Sequence, residues 1–227
     1  HGNFIPQIPD QLIRRYTKEN DTVMELFSGG GTTLFECEKL RRNYIGFDIN
    51  KQIIAYVKDK MQSCTQIKYA VCDCDVTDAI EFNTSAVNAC QDQGIEKVDF
   101  LIAHPPYLDI VKFTQDERDL SHISDLDVFM DKFVDAMRNG LAFLKKDKYF
   151  AVVAGDVYKK SEVLPLAFYI MNAIRKNFNV KMKGIIIKNI EGNKGKLGVQ
   201  DIWKFRALKS DYFLFKHEYI FVFKKLD

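Results

Sequence analysis

Short apolar stretches alternate with amphipathic stretches along most of this amino-acid sequence. Apolar runs such as 22–27 and 98–103 have the length of buried strands, and helical spacing of apolar residues follows them. The alternation occurs five times, and two further strands, 180–187 and 219–223, come near the end. This order predicts an α/β fold with a mostly parallel sheet and an antiparallel hairpin at one edge.

Composition narrows the class of protein. With 47% hydrophobic and 28% charged residues, a chain of 227 residues can bury the core of one globular domain. We expect no membrane span, because no apolar run reaches about 18 residues. No secretory leader is visible, and the five cysteines have neither disulfide nor zinc spacing. We therefore expect a cytoplasmic protein with free thiols and no metal site.

Charge is distributed unevenly. The whole chain has a net charge of +2, but residues 175–227 contain 13 Lys and Arg against 5 Asp and Glu, a net +8. A basic C-terminal quarter favours a polyanionic partner such as nucleic acid. The alternative interpretation is a solvated, lysine-rich face.

Polar and glycine residues follow the first three predicted strands. Ligands of parallel α/β sheets bind at the carboxyl ends of the strands. The turn 28–33 (SGGGTT) allows close approach to its backbone, Asp48 can hold ribose hydroxyls, and Asp73 can accept from an adenine amine. No P-loop lysine accompanies the glycines. The pattern predicts a nucleoside pocket without a diphosphate site, which favours S-adenosyl-L-methionine over NAD or ATP.

Several motifs together resemble one family. ELFSGGGTTLFECEKLRRNYIGFDIN resembles the first two motifs of DNA amino-methyltransferases, D-P-F-x-G-S-G-T-T and R-N-x-I-G-x-D/E. His104-Pro105-Pro106-Tyr107 resembles their catalytic D/N/S-P-P-Y/F motif, and KHEYIFVFKK resembles their closing hairpin strand. The resemblance implies a Rossmann-like class I methyltransferase fold with a mostly parallel seven-stranded sheet and an antiparallel edge hairpin. It also implies site-specific transfer of methyl from S-adenosyl-L-methionine to adenine N6 or cytosine N4 of DNA, within a restriction-modification system.

The resemblance also implies site residues. The expected cofactor residues lie in the N-terminal segment, the glycine turn and the strand ends: Phe4, Pro6, Glu25, Phe27, Ser28, Gly29, Gly31, Thr32, Thr33, Asp48 and Asp73. The expected nucleic-acid contacts are basic and aromatic: Lys112, Lys194, Lys196, Trp203, Lys204 and Arg206. We expect a single domain over 1–227, with 188–216 as a small target-recognition insertion. Its small size favours a homodimer or a partner subunit.

The His-Pro-Pro-Tyr corner suits methylation of an exocyclic amine. Two prolines have no N–H to donate, so the Pro105 carbonyl can accept from the amine. Tyr107 offers a face for stacking a flipped base. His104 accepts only through an unprotonated nitrogen, so a pKa near 6.5 predicts activity that falls below that pH. Flat activity from about pH 5 to 8 would then argue against the acceptor role.

Two other functions remain open. In this sequence the cofactor motif precedes the PPY motif, and tRNA guanine-N2 methyltransferases have the same motif order. An RNA or tRNA base N-methyltransferase is therefore an alternative. His104 stands where the family has Asp, Asn or Ser, Glu25 replaces Asp, and Gly30 replaces Ser. These departures leave the target base open and allow an inactive, cofactor-binding recognition subunit.

Overall fold

The computed structural model describes residues 4–190 and 216–227. The helices are α1 (Gln7–Tyr16), α2 (Thr32–Leu40), α3 (Lys51–Lys60), α4 (Ala79–Gln93), α5 (Leu126–Phe143) and α6 (Leu166–Asn177). The strands are β1 (Thr22–Glu25), β2 (Asn43–Asp48), β3 (Tyr69–Asp73), β4 (Val98–Ala103), β5 (Leu144–Ala154), β6 (Val157–Lys159), β7 (Glu162–Leu164), β8 (Val180–Asn189) and β9 (His217–Lys225).

Seven of these strands form one sheet in the order β3-β2-β1-β4-β5-β9-β8. The first five are parallel to their neighbours, and β9 is antiparallel to both β5 and β8. The prediction of a mostly parallel sheet with an antiparallel edge hairpin is therefore confirmed.

The structure determines two local features that the sequence left wrong or undecided. The spacing of apolar residues in 162–176 predicts a helix over that whole range. In the structure β6 and β7 pair first, and α6 begins at Leu166, after Pro165. A proline is favourable at the start of a helix and unfavourable inside it, which explains this boundary. Residues 77–95 had no clear prediction. They form α4, whose N-cap Asp78 accepts the N–H groups of Ile80 and Glu81.

Helices cover both faces of the sheet, and the core has two layers. All six residues of β4 are buried, and successive side chains point to opposite faces. Leu101 and Ala103 pack in the layer with α4, α5 and α6. Phe100 and Ile102 pack in the layer with α1, α2 and α3. Within 4–190 and 216–227, no helix combines the length and the apolarity needed to cross a bilayer.

Parallel pairing brings the ends of the first five strands to one edge of the sheet. β1 pairs directly with β4, with Glu25 opposite Ile102, and the Leu26 N–H donates to the Ile102 carbonyl at 3.2 Å. The loops that leave these two strands are the glycine turn and the His-Pro-Pro-Tyr corner. They are therefore neighbours at the carboxyl edge.

Candidate active site

The glycine turn is held by backbone geometry that glycine allows. Gly29 and Gly31 have positive φ angles of 48° and 80°. A Cβ on Gly31 would meet the Val57 methyl groups at 3.1 Å. Gly31 begins α2 without a side-chain cap, so the first N–H groups of this helix face the site without a capping oxygen.

Glu25 lies beneath this turn. Its Oε1 accepts the Thr33 hydroxyl and its Oε2 accepts the Tyr44 hydroxyl, both at 2.6 Å. Burial raises the pKa of Glu25 to about 8, against the effect of these two hydrogen bonds. Glu25 and Thr33 were predicted to bind the cofactor. In the structure the two residues hydrogen-bond to each other beneath the turn, and their assignment to the cofactor stays a prediction.

Ser28 has the one buried side-chain oxygen or nitrogen without a hydrogen-bond partner among the described residues. Only 6% of Ser28 is exposed, and its N–H donates to the Phe47 carbonyl at 2.9 Å. Buried polar groups are almost always paired, so the unpaired Ser28 hydroxyl fits a site for a polar group of a ligand.

Acidic side chains end β2 and β3 as the sequence predicted. Asp48 and Asp73 are cross-strand partners. Asp48 accepts the N–H of Gly29 at 2.7 Å and that of Asn50 at 2.8 Å. Burial raises the pKa of Asp48, while these N–H bonds act to lower it. Asp73 is exposed and lies 3.4 Å from the Lys51 ammonium.

These residues fit S-adenosyl-L-methionine. A carboxylate at the end of β2 suits ribose hydroxyls, and a second acid on β3 suits an adenine amine. The unpaired Ser28 hydroxyl and the uncapped start of α2 suit the polar methionine end. The remaining predicted cofactor residues differ in position. Thr32 and Phe27 are half-buried, Phe4 is buried with its ring 5.1 Å from that of His104, and Pro6 is exposed at the start of α1.

The His-Pro-Pro-Tyr corner leaves β4 at Ala103. His104 Nε2 lies 3.0 Å from the Tyr107 hydroxyl, and the two rings meet edge to face at 5.6 Å. Tyr107 packs against Gly155, which follows β5. A Cβ there would lie 2.9 Å from Tyr107 Cε2. Both aromatic side chains of the motif are thus fixed by their neighbours.

His104 has an unusual protonation behaviour for a histidine. Burial lowers its pKa to about 4; the negative charge of Glu218 acts to raise it, and Lys188 adds to the lowering. The imidazole is therefore neutral above about pH 5, as an acceptor must be. The expected loss of activity near pH 6.5 moves to about pH 4, because that expectation assumed an unperturbed side chain.

The hairpin supplies two charged residues that the sequence-based interpretation did not assign to the site. Glu218 Oε1 accepts from the Tyr107 hydroxyl at 3.4 Å, and its Oε2 lies 2.9 Å from the Lys188 ammonium. The two residues are cross-strand partners in β8 and β9. Since β9 runs antiparallel to β5, its first residues reach the carboxyl edge of the sheet. The antiparallel direction of the last strand was therefore the feature of the sequence-based prediction that could have placed Glu218 near the His-Pro-Pro-Tyr corner.

The loop that follows the corner is ordered by its own hydrogen bonds. Asp119 accepts the Thr114 hydroxyl at 2.9 Å and the Ser121 N–H at 2.8 Å, and Asp109 pairs with Lys159. Lys112 is exposed in this loop. The other predicted nucleic-acid contacts lie outside the described residues: Lys194, Lys196, Trp203, Lys204 and Arg206.

Comparison with known proteins finds a family likeness over the part of the chain that holds the glycine turn and Asp48. A family model for N6 and N4 methyltransferases, described as DNA methylase, matches residues 4–59. The type II methyltransferase M.MjaII of Methanocaldococcus jannaschii is 31% identical over 103 residues, which are 44% of this chain and 19% of that protein. M.MjaI of the same organism is 37% identical over 60 residues, 26% of this chain and 20% of that protein. The match thus spans about a fifth of each relative.

Solved structures show the same fold at low identity. TrmN from Thermus thermophilus aligns with a TM-score of 0.57 and 13% identity, over 98% of this chain and 49% of that chain. YcgJ from Bacillus subtilis aligns with a TM-score of 0.57 and 10% identity, over 97% and 99% of the two chains. The fold is that of class I methyltransferases. Together with the family match, it implies S-adenosyl-L-methionine as the cofactor. The family match and the relatives give this chain a partial likeness to DNA amino-methyltransferases, within the fold of class I methyltransferases.

Proposed function

We propose that this protein transfers a methyl group from S-adenosyl-L-methionine to an exocyclic amine of a DNA base, adenine N6 or cytosine N4. The observation that carries the proposal is the direct pairing of β1 with β4. It makes the cofactor turn and the His-Pro-Pro-Tyr corner neighbours at one edge of the sheet. The type II methyltransferases among the relatives favour a role in restriction-modification.

Bound S-adenosyl-L-methionine supplies an electrophilic methyl group, and the protein must prepare the nucleophile. The lone pair of an exocyclic amine is delocalised into its ring, so the nitrogen must pyramidalise before it attacks. Acceptors aimed at its two N–H groups favour that geometry and stabilise the positive charge that develops. The Pro105 carbonyl and the neutral imidazole of His104 take this role, and Tyr107 stacks on the flipped base.

The pH dependence tests His104 as an acceptor. With a pKa of about 4, methyl transfer is expected to be flat from pH 5 to 8 and to fall only as the pH approaches 4. His104→Asn should keep an acceptor and lose this acid limb. Circular dichroism at each pH separates protonation from unfolding. An acid limb that is identical in His104→Asn would contradict the role.

DNA is favoured over RNA because the matching family model is described as DNA methylase. The domain is proposed to be single over 1–227, with 188–216 reading the target sequence. The small size of that segment favours a homodimer or a partner subunit. A methyl-transfer assay with radiolabelled cofactor on DNA and on tRNA, followed by nucleoside analysis, tests the proposal. Labelled N6-methyladenine or N4-methylcytosine from DNA supports it. Label in tRNA alone, or cofactor binding without transfer, would favour the alternatives.

A further inference from the structure

A chain of polar contacts leads from the hairpin to the catalytic corner. It runs from Lys188 to Glu218 at 2.9 Å, then to the Tyr107 hydroxyl at 3.4 Å, and then to His104 Nε2 at 3.0 Å. Lys188 and Glu218 are both largely buried, with 19% and 15% of their side chains exposed. The chain joins β8 and β9 to the loop after β4.

The direction of these hydrogen bonds follows from the number of protons. Glu218, paired with Lys188, is a carboxylate and can only accept. Tyr107 has one hydroxyl proton, so it can donate to Glu218 or to His104, but not to both. If it donated to His104, oxygen lone pairs of Tyr107 and Glu218 would face each other. Both contacts are satisfied only when Tyr107 donates to Glu218 and His104 Nε2–H donates to Tyr107.

This direction determines which nitrogen of His104 is free to accept. A neutral imidazole carries one proton, so protonation at Nε2 leaves Nδ1 with a lone pair. No described residue is recorded as a hydrogen-bond partner of Nδ1, whereas Nε2 is engaged with Tyr107. In the opposite arrangement, Nδ1 would carry the proton and would repel the N–H groups of the target amine.

We propose that Glu218 is a positioning residue, which acts through the Tyr107 hydroxyl to hold His104 in the Nε2–H tautomer and leaves Nδ1 as the acceptor for the target amine. The inference about the amine rests on the proposed function. The tautomer itself does not, because it follows from contacts within this chain. Lys188 forms an ion pair with Glu218 and fixes its second oxygen.

The tautomer can be measured directly by nitrogen-15 NMR of histidine-labelled protein. The chain has four histidines, and the signals that disappear in His104→Asn identify His104. We expect Nε2 protonated and Nδ1 unprotonated in the wild-type protein. The Nδ1–H tautomer in the wild-type protein would overturn the proposal, and this measurement needs no Glu218 variant to fold.

Two variants separate the proposal from a structural role. Glu218→Ala frees the Tyr107 hydroxyl to donate to Nε2, so His104 should change to the Nδ1–H tautomer and kcat should fall about tenfold or more. Glu218→Gln retains an acceptor oxygen and should keep the wild-type tautomer and kcat within about threefold. Affinity for S-adenosylhomocysteine should be unchanged in both. An unchanged tautomer in Glu218→Ala would overturn the proposal.

Asp147→Asn is the matched control. It removes the ion pair of Asp147 with Lys224 on the same strand β9, at 2.7 Å, away from the catalytic corner. It should alter neither the tautomer nor kcat. If the wild-type protein shows the Nε2–H tautomer but methylates neither DNA nor tRNA, the proposed function fails while the positioning of His104 by Glu218 stands.

Discussion

Tyr107 and Gly155 are in such close contact that a side chain at residue 155 would displace the Tyr107 ring. The ring lies where a side chain on the neighbouring strand end would be, 2.9 Å from the position of a Cβ. This contact and the hydroxyl contact with His104 determine where the ring can lie. The proposed stacking of a target base on Tyr107 depends on that position, so the contact links the backbone after β5 to the proposed catalysis.

Gly155→Ala is therefore expected to displace the Tyr107 ring. Misplacement of about 1 Å in a reacting arrangement can cost roughly 100-fold in rate, and we expect kcat to fall by about tenfold to 100-fold. Affinity for S-adenosylhomocysteine, measured by calorimetry, should change little. Gly184→Ala is the control, because nothing lies within 4 Å of a Cβ at that residue. Equal kcat values for Gly155→Ala and Gly184→Ala would contradict the expectation that a side chain at residue 155 displaces the Tyr107 ring.

Ser28→Ala tests whether the unpaired hydroxyl belongs to the cofactor site. Without ligand, the variant loses no hydrogen bond among the described residues, so its unfolding free energy in urea should equal or exceed that of the wild type. Affinity for S-adenosylhomocysteine should fall about tenfold, the value of one hydrogen bond to a charged group. Thr33→Val offers a contrast, since it breaks the bond to Glu25 and should lower stability. An unchanged affinity in Ser28→Ala would remove Ser28 from the site.

Single residues differ in how far the sequence predicts them. Asp48 was assigned correctly to the end of β2 because that position depends on local strand and turn patterns. The pKa of His104 could not be predicted, since it depends on burial and on Glu218 and Lys188, which are far away in the sequence. Glu25 matched a motif, yet its contacts with Thr33 and Tyr44 appear only when three elements pack together.

At the scale of elements, Glu25 joins β1, α2 and β2 beneath the glycine turn. Thr33 is on α2 and Tyr44 is on β2, and both hydroxyls donate to the one carboxyl group. Gly46 in β2 makes room for the Tyr44 ring, because a Cβ there would overlap the Tyr44 hydroxyl. The turn that carries the cofactor motif therefore rests on a buried polar junction.

This junction predicts a pH-dependent stability. Unfolded Glu25 releases its proton near 4.5, whereas the folded protein keeps it until about pH 8. The unfolded state thus binds fewer protons between these values, so the contribution of Glu25 to stability is full below about pH 4.5 and is lost as pH rises to 8.

Glu25→Gln removes this titration and should be compared with the wild type by urea unfolding from pH 5 to 8. As the pH rises, the unfolding free energy of the wild type should fall relative to that of Glu25→Gln by up to about 1.4 kcal/mol per pH unit, which is the value for one proton. Parallel pH dependences of the two proteins would show that Glu25 does not retain its proton on folding.

Elements with regular patterns were predictable, and irregular ones were not. Strands β1 to β5 follow from apolar runs, and their parallel pairing follows from the intervening helices. The β6–β7 hairpin lies in a segment that alternates too briefly to signal strands, and helical spacing in 162–176 extended the expected helix too far. The contact of β9 with the catalytic corner required the strand order, because Tyr107 and Glu218 are separated by 111 residues.

At the scale of the whole molecule, charge is separated along the chain. Residues 175–227 have a net charge of +8, while the first 174 residues have a net charge of −6. In the sheet, β8 and β9 belong to this basic quarter, and Lys188 of β8 lies beside the His-Pro-Pro-Tyr corner in an ion pair with Glu218. The charge separation predicts that a polyanion is attracted to the basic part of the chain, although the net charge of the molecule is only +2.

Charge reversal distinguishes local phosphate contacts from this overall field. Lys194→Glu with Lys196→Glu should weaken DNA binding and reduce the slope of log K against log salt by about two, since each phosphate contact contributes about 0.9. Lys58→Glu with Lys60→Glu changes the net charge equally, but these exposed residues end α3, at the edge opposite the strand ends. This control should leave the slope nearly unchanged. Fluorescence anisotropy at several salt concentrations measures both slopes, and equal slopes for the two double variants would mean that 188–216 makes no phosphate contacts through these lysines.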